Sequence, residues 1–370
     1  MTQETGATQG MFNPCHYVNA AKQQRTWVHG DDFAVLIRRS QVTEFVAAMR
    51  KQLLVKVRAV LGPRPTDDHE IRILNRIVTW KPPGRAGGDP SEIWWEADPR
   101  HVQILAKEFG FDEKTKPVAA PGKKELASPL EGPPVAGEDG GKFGSVCMRL
   151  MFLALDRPDI IFTGKEAARA MSCRTITAWQ SLKHQVRYLI GAPRLVWVYR
   201  QQAPQKAIVV ASDSNYAGCL TTRKSTTCVV VKHGCHVLKV GAQTQGTLAL
   251  SVGESEFFAT VKGAATVIGM QSVAKDWGMA MEAILETDSS SAKGILSRRG
   301  AGKIRHLDTP LLWVQQRVAR KQLRVNKVAG AINVADIGTK ILDGPRIRQL
   351  MKLMNMRFTT GQSKLALKAA

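Results

Sequence analysis

From residue 206 onward the chain alternates short apolar runs with polar turns. "AIVVASD", "TTCVVVKHG" and "HVLKVGAQ" are rich in β-branched residues and end in turn formers, which predicts three strands able to form a meander. "SEFFATVKGAATVIGMQSVAKDWG" then carries apolar residues at helical spacing. "EAILETD" and "LRVNKV" read as further strands, and "SSAKGILSRR", "TPLLWVQQRVARKQ" and "VADIGTKIL" as helices. Strands that follow helices need crossovers, so the order predicts a mixed α/β fold.

Upstream, residues 1–80 alternate strand-like runs with basic residues around a helical "VTEFVAAMRKQLL". "KPPGRAGGDPSE" and "ASPLEGPPVAGEDGGKFG" make 81–145 a Pro/Gly-rich linker. Within it "DPRHVQILAKEFGF" predicts a short helix with Asp98 as cap and Pro99 at its first position. Residues 146–205 read as helical, 206–345 as the α/β unit, and 346–370 as a basic tail whose "RIRQLMKLMNMRF" is an amphipathic helix. At 370 residues, two or three domains are expected from a prior of roughly 100–200 residues each.

Charge changes the picture. The chain has 53 Lys and Arg against 31 Asp and Glu, a net +22, and such an excess attracts polyanions, nucleic acid foremost. No apolar run approaches the roughly 18 residues of a membrane span, and the N-terminus lacks the basic-then-apolar order of a signal peptide. Six cysteines form no CxxC pair, so neither a zinc framework nor a redox motif is expected, and an intracellular, non-secreted protein fits. "KHGCH" reads as a hairpin turn.

Within this basic chain, acids recur where strands end and helices begin. Asp213 follows the first predicted strand, Asp288 follows "AILET", and Asp336 lies three residues beyond Asn333. Each has a structural explanation as turn or cap. At the start of the long helix, Ser251 and Glu254 match a capping box, which leaves Glu256 as the acid without a local duty. Carboxylates converging at one sheet edge would hold the divalent metals that hydrolysis of a phosphodiester needs.

The quoted pieces together resemble a known family. "SDSNYAGCLTTRKSTTC", "QTQGTLALSVGESEFFA", "ETDSSSA", "RHLDT" and "VADIGTK" are similar to the ribonuclease H domain ending copia-type LTR retrotransposon pol polyproteins. "DRPDIIFTGKEAARAM" and "AWQSLKHQVRYLIGA" resemble the helical connection before it, and "VHGDDFAVLI" the paired-aspartate hairpin of reverse transcriptase. The resemblance implies a ribonuclease H-like mixed five-stranded sheet with flanking helices, preceded by a truncated palm/thumb remnant over 1–80. It implies four metal-binding acids at Asp213, Glu256, Asp288 and Asp336, two Mg²⁺ or Mn²⁺ ions, an RNA/DNA hybrid as substrate, and cleavage leaving a 3′-hydroxyl. Arg223 and Lys224 are expected on the backbone phosphates of the hybrid.

The departures are Asn215 and Tyr216 where the family has Asp and Trp, Cys228 for a Gly, and Ser289 for an Asn. Asp31 and Asp32 match the paired aspartates of the polymerase, yet the 30 residues before them leave no room for the third acid. DNA polymerisation by this chain alone is therefore not expected. The alternatives are a non-catalytic nucleic-acid-binding remnant and a fragment without a stable product. The rest of a retrotransposon polyprotein is a candidate partner.

Overall fold

A computed structural model describes residues 2–83, 91–126, 128–302, 304, 306, 307, 309–361 and 365. After a one-turn helix α1 (Thr2–Thr5), strands β1 (Thr8–Gln9), β2 (His16–Asn19), β3 (Gln24–His29) and β4 (Asp32–Leu36) pair antiparallel in sequence order. Helix α2 (Val42–Arg50) follows. This small sheet is moored far along the chain: the backbone N–H groups of Met11, Phe12 and Asn13 donate to the Asp276 carboxylate, and the His16 ring packs 5.2 Å from that of Trp277.

The next strands depart from the linear division expected above. β5 (Glu70–Ile73), β6 (Arg76–Lys81), β7 (Glu92–Ala97) and, after helices α3 (Arg100–Glu108), α4 (Gly137–Ala154), α5 (Ile161–Arg169) and α6 (Ile176–Gly191), β8 (Arg194–Arg200) run antiparallel side by side. The stretch 81–145 is thus no simple linker, since it supplies β7 and the start of α4, and 146–205 ends in a strand. The cause is non-local. Glu96 on β7 accepts two hydrogen bonds from Arg194 on β8, 98 residues away, at 2.6 and 2.7 Å. The short α3 lies where the sequence predicts but starts one residue later, with Pro99 at the cap position and Asp98 accepting from the Arg100 N–H at 3.0 Å. Residues 84–90 of the Pro/Gly-rich stretch, and Arg305 and Asp308 of "RHLDT", lie outside the described residues.

The α/β unit has every strand expected of it. β9 (Ala207–Asn215), β10 (Thr226–His233) and β11 (His236–Thr244) form an antiparallel meander, and "KHGCH" is its second turn, with Gly234 at φ +60°. Helix α7 (Val252–Asp276) crosses to β12 (Glu282–Thr287), which lies parallel to β9; α8 (Ser290–Ser297) and α9 (Trp313–Ala319) lead to β13 (Arg324–Lys327), parallel to β12. The sheet order β11-β10-β9-β12-β13 is the mixed five-stranded arrangement with flanking helices that the resemblance implied. "VADIGTKIL", expected as a helix, makes only a 3-10 turn over Val334–Gly338. The basic tail is not free: Asp343 caps α10 (Gly344–Leu353), which buries Ile347, Leu350 and Met351, and β14 (Met356–Thr359) pairs with β8.

Both faces of the mixed sheet are covered, which explains its nearly continuous apolar strands. Ile208, Val210, Val229, Val231 and Leu285 pack on Phe257, Ala264 and Val267 of α7 and on α8 and α9. Ala211, Cys228, Val230, Val237 and Val240 face the core built by α3 to α6. Gly263 permits the close approach of α7, since a Cβ there would sit 2.6 Å from Leu285 Cδ1. No helix among the described residues is long and apolar enough to cross a membrane.

Candidate active site

β9 and β12 run parallel as neighbours, so Asp213 near the end of one and Asp288 just past the other emerge at the same sheet edge. Ligands of α/β sheets bind at this carboxyl edge. α7 brings the third acid. Ser251 caps it by accepting from the Glu254 N–H, while Glu254 accepts from Leu250 N at 2.9 Å and from His306 Nε2 at 3.1 Å. Both bonds hold Oε2 of Glu254, while Glu256, two residues on, points at the edge. Carboxylate oxygens of Asp213, Glu256 and Asp288 all lie within 4.8 Å of one another.

What positions these groups carries no signal in the sequence. Ser214 Oγ donates to Ser255 Oγ at 2.9 Å, joining the neighbours of Asp213 and Glu256. Thr339 donates to Asp213 Oδ2 at 2.5 Å. Asn333, which caps the 3-10 turn through the Ala335 N–H, also donates to the carbonyl of Ser212 at 3.1 Å.

Electrostatics at the edge are unfavourable to carboxylates. Burial pushes Asp213 up to about 7, with the Thr339 hydroxyl opposing and the charges of Asp336 and Asp288 adding to the rise. Burial, then Asp213 and Asp288, push Glu256 up to about 8 against the hydrogen bonds of Ser214. Glu256 is only 7% exposed, and its Oε2 is buried with no hydrogen-bond partner. Buried polar atoms are ordinarily satisfied. Three converging carboxylates, one with an idle buried oxygen, suit a hard divalent cation such as Mg²⁺ or Mn²⁺.

Asp336 does not join the three. Its Oδ1 lies 2.6 Å from Lys340 Nζ and its Oδ2 2.8 Å from Arg346 Nη2. Arg223 is exposed at the tip of the β9–β10 connection, in the left-handed region at φ +57°, and Lys224 follows half-buried. Arg169 of α5 steadies that tip through Cys219 Sγ at 2.9 Å and Thr222 Oγ1 at 3.2 Å. Asp31 lies in the β3–β4 turn and Asp32 opens β4, where it pairs with Arg58 at 3.2 Å. Among the described residues no second trio of acidic, His or Cys ligands closes up, so the paired aspartates stand without a third acid.

No family model matches the chain. It is 23% identical over 271 residues to the retrovirus-related Pol polyprotein from transposon TNT 1-94 of Nicotiana tabacum, covering 71% of this chain and 20% of that one. It is 31% identical over 127 residues to the uncharacterized mitochondrial protein AtMg00810 of Arabidopsis thaliana, covering 34% of this chain and 52% of that one. Among solved structures, LC11-RNase H1, isolated from compost, aligns at 15% identity over 40% of this chain and 99% of its own, with a TM-score of 0.27. The chain is homologous to retrovirus-related Pol polyproteins of plant transposons, the kinship its motifs implied. It spans about a fifth of the tobacco polyprotein's length and about half that of the mitochondrial protein.

Proposed function

We propose that this chain is a nuclease of the ribonuclease H type, hydrolysing the RNA strand of RNA/DNA hybrids to leave a 3′-hydroxyl. The observation that carries this reading is the convergence of Asp213, Glu256 and Asp288 at one sheet edge of a chain with net charge +22. Concentrating acids in a basic protein is electrostatically costly unless a cation sits among them. Mg²⁺ or Mn²⁺ held there, two ions in the reading carried from the motifs, would neutralise charge on the phosphate and acidify water. Asp213, Glu256 and Asp288 would hold the ion as carboxylates, and the buried, unpartnered Oε2 of Glu256 is an oxygen free to do so. Ser214, Ser255 and Thr339 keep the carboxylates fixed, so little reorganisation is needed. Arg223 and Lys224 grip backbone phosphates, which makes cutting sequence-tolerant.

Primer extension by this chain alone should stay at background, because Asp31 and Asp32 have no third acid beside them among the described residues. The rest of a polyprotein is the natural partner for the β1–β4 sheet.

A second reading is favoured by one observation: Asp336 is already neutralised by Lys340 and Arg346. It makes the chain a hybrid-binding protein that does not cut. The deciding experiment is Mg²⁺-dependent cleavage of a labelled RNA/DNA hybrid by wild type, Asp213→Asn and Glu256→Gln. Cleavage abolished by either substitution supports the nuclease; cleavage that survives both refutes the site. Hybrid binding without cleavage by wild type selects the second reading.

A further inference from the structure

One departure from the resembled family sits two residues beyond Asp213. Asn215 stands where an aspartate is expected, and its amide is engaged at both ends. Oδ1 accepts from the backbone N–H of Thr226 at 2.6 Å, and Nδ2 donates to the carbonyl of Thr339 at 2.6 Å. These partners allow the amide a single orientation, since the first can only donate and the second only accept. Glycine at 218 leaves the room for it: a Cβ there would lie 2.1 Å from Nδ2. The same Thr339 places its hydroxyl on Asp213 Oδ2 at 2.5 Å. That contact occupies one of roughly four acceptor sites on the carboxylate.

The arrangement is anchored on its far side. Thr226 is the register partner of Asn215 on β10, and its hydroxyl accepts from Lys165 Nζ of α5 at 2.6 Å. Lys165, Thr226 and Thr339 are all buried, so a broken bond here is not readily replaced by water. An aspartate at 215 would fill the same space and still accept from Thr226. Toward Thr339 it would set a carboxylate oxygen against a carbonyl oxygen, with no proton to share between them. Thr339 would then turn away, and Asp213 would lose its hydroxyl donor.

We propose that Asn215 is a positioning residue of the metal site, acting through Thr339 to hold the Asp213 carboxylate in place. In this chain the amide is required where the family's acid would disrupt the contact. The inference rests on the nuclease reading above and holds for one bound ion or two.

Mn²⁺ titration of the full chain by calorimetry tests it without recourse to turnover. Asn215→Asp adds a negative charge near a cation site, so charge alone would tighten Mn²⁺. Loss of the Thr339 contact should instead weaken it by about tenfold, the scale seen when groups that orient metal ligands are removed. Thr339→Val should weaken Mn²⁺ by a similar factor, while Thr339→Ser, which keeps the hydroxyl, should restore it. In the Thr339→Val background Asn215→Asp should cause no further loss, because the two residues act in series. Thermal unfolding in EDTA shows whether each variant is folded. Should Asn215→Asp not fold, Asn215→Ala, which lacks the same donor and gains no charge, carries the same expected loss. Wild-type or tighter Mn²⁺ binding by the position-215 variant overturns the inference, and so do losses that simply add in the double variant. A wild type that binds no Mn²⁺ sinks the nuclease reading and this inference together. Mn²⁺ binding that Asp213→Asn abolishes and Asn215→Asp leaves intact sinks this inference alone.

Discussion

Ser214 and Ser255 are hydrogen-bonded hydroxyl to hydroxyl at 2.9 Å, and each is the chain neighbour of a cluster acid. The bond pins β9 to α7 at the place where Asp213 and Glu256 must meet. Ser255 is fully buried, and its own hydroxyl donates to the carbonyl of Val252. Ser255→Ala should cost about 1–2 kcal/mol by urea denaturation, since Ser214 loses its acceptor. It should also weaken Mn²⁺ by about tenfold in calorimetry, as removing groups that orient metal ligands does. Unchanged metal affinity would mean that packing alone sets the two acids.

The cluster makes stability depend on pH in an unusual direction. Asp213 and Glu256 rise from their usual 3.8 and 4.5 to about 7 and about 8 in the folded chain. A folded value above the unfolded one means the folded state holds its proton more tightly. The contribution of the pair is therefore full below about pH 4 and is lost as pH rises through 7 and 8. Without metal, the Tm of wild type should fall across this window more steeply than that of Asp213→Asn with Glu256→Gln. Mg²⁺ should abolish the difference. Parallel Tm curves would show that burial does not raise the two carboxyls.

Arg157 and Asp159 of the "DRPD" stretch form an ion pair whose side chains are 2% and 0% exposed. Asp159 accepts from Arg157 Nε at 3.0 Å and Nη2 at 2.7 Å, and from the Tyr188 hydroxyl at 2.8 Å. Asp159→Ala strands a buried guanidinium and should cost about 3–5 kcal/mol in urea midpoint analysis. A loss under about 1 kcal/mol would mean that water reaches Arg157.

At Gly263 the spacing of α7 from the sheet is at stake. The added methyl of Gly263→Ala would meet Leu285 Cδ1 at 2.6 Å, and Leu285 is fully buried. Overpacking of this kind costs about 1–3 kcal/mol, outweighing the gain in helix propensity. The expected result is a lower urea midpoint together with weaker Mn²⁺ binding, because Glu256 rides on the same helix. A stabilised Gly263→Ala would show that α7 can lift away freely.

The α/β unit was readable because each of its strands carries its own signal. "AIVVASD" and "TTCVVVKHG" are β-branched runs with turns on both sides, and Glu254 identified itself as a cap and so left Glu256 over. What failed was everything that depends on distant partners. β7 is six residues inside a Pro/Gly-rich stretch, and β14 four residues in a basic tail; neither is a strand until β8 lies between them. Arg346 belongs to the same class, being one arginine among many until α10 docks and delivers it to Asp336. The 3-10 turn at Val334–Gly338 reads as a helix because Asn333 and Asp336 look like a cap and first turn, which they are, for a single turn only.

Because α5 roofs the side of the sheet that carries Ala211, Val230, Val237 and Val240, the α/β unit cannot be lifted out by its motifs. A polypeptide begun at Pro204 would strip that roof and leave a wall of valines wet, and one ended at residue 345 would also shed Arg346 and β14. The smallest heritable piece able to keep the acids together therefore reaches well beyond the motifs that advertise it, which sets how far such a gene can erode before its product stops holding shape.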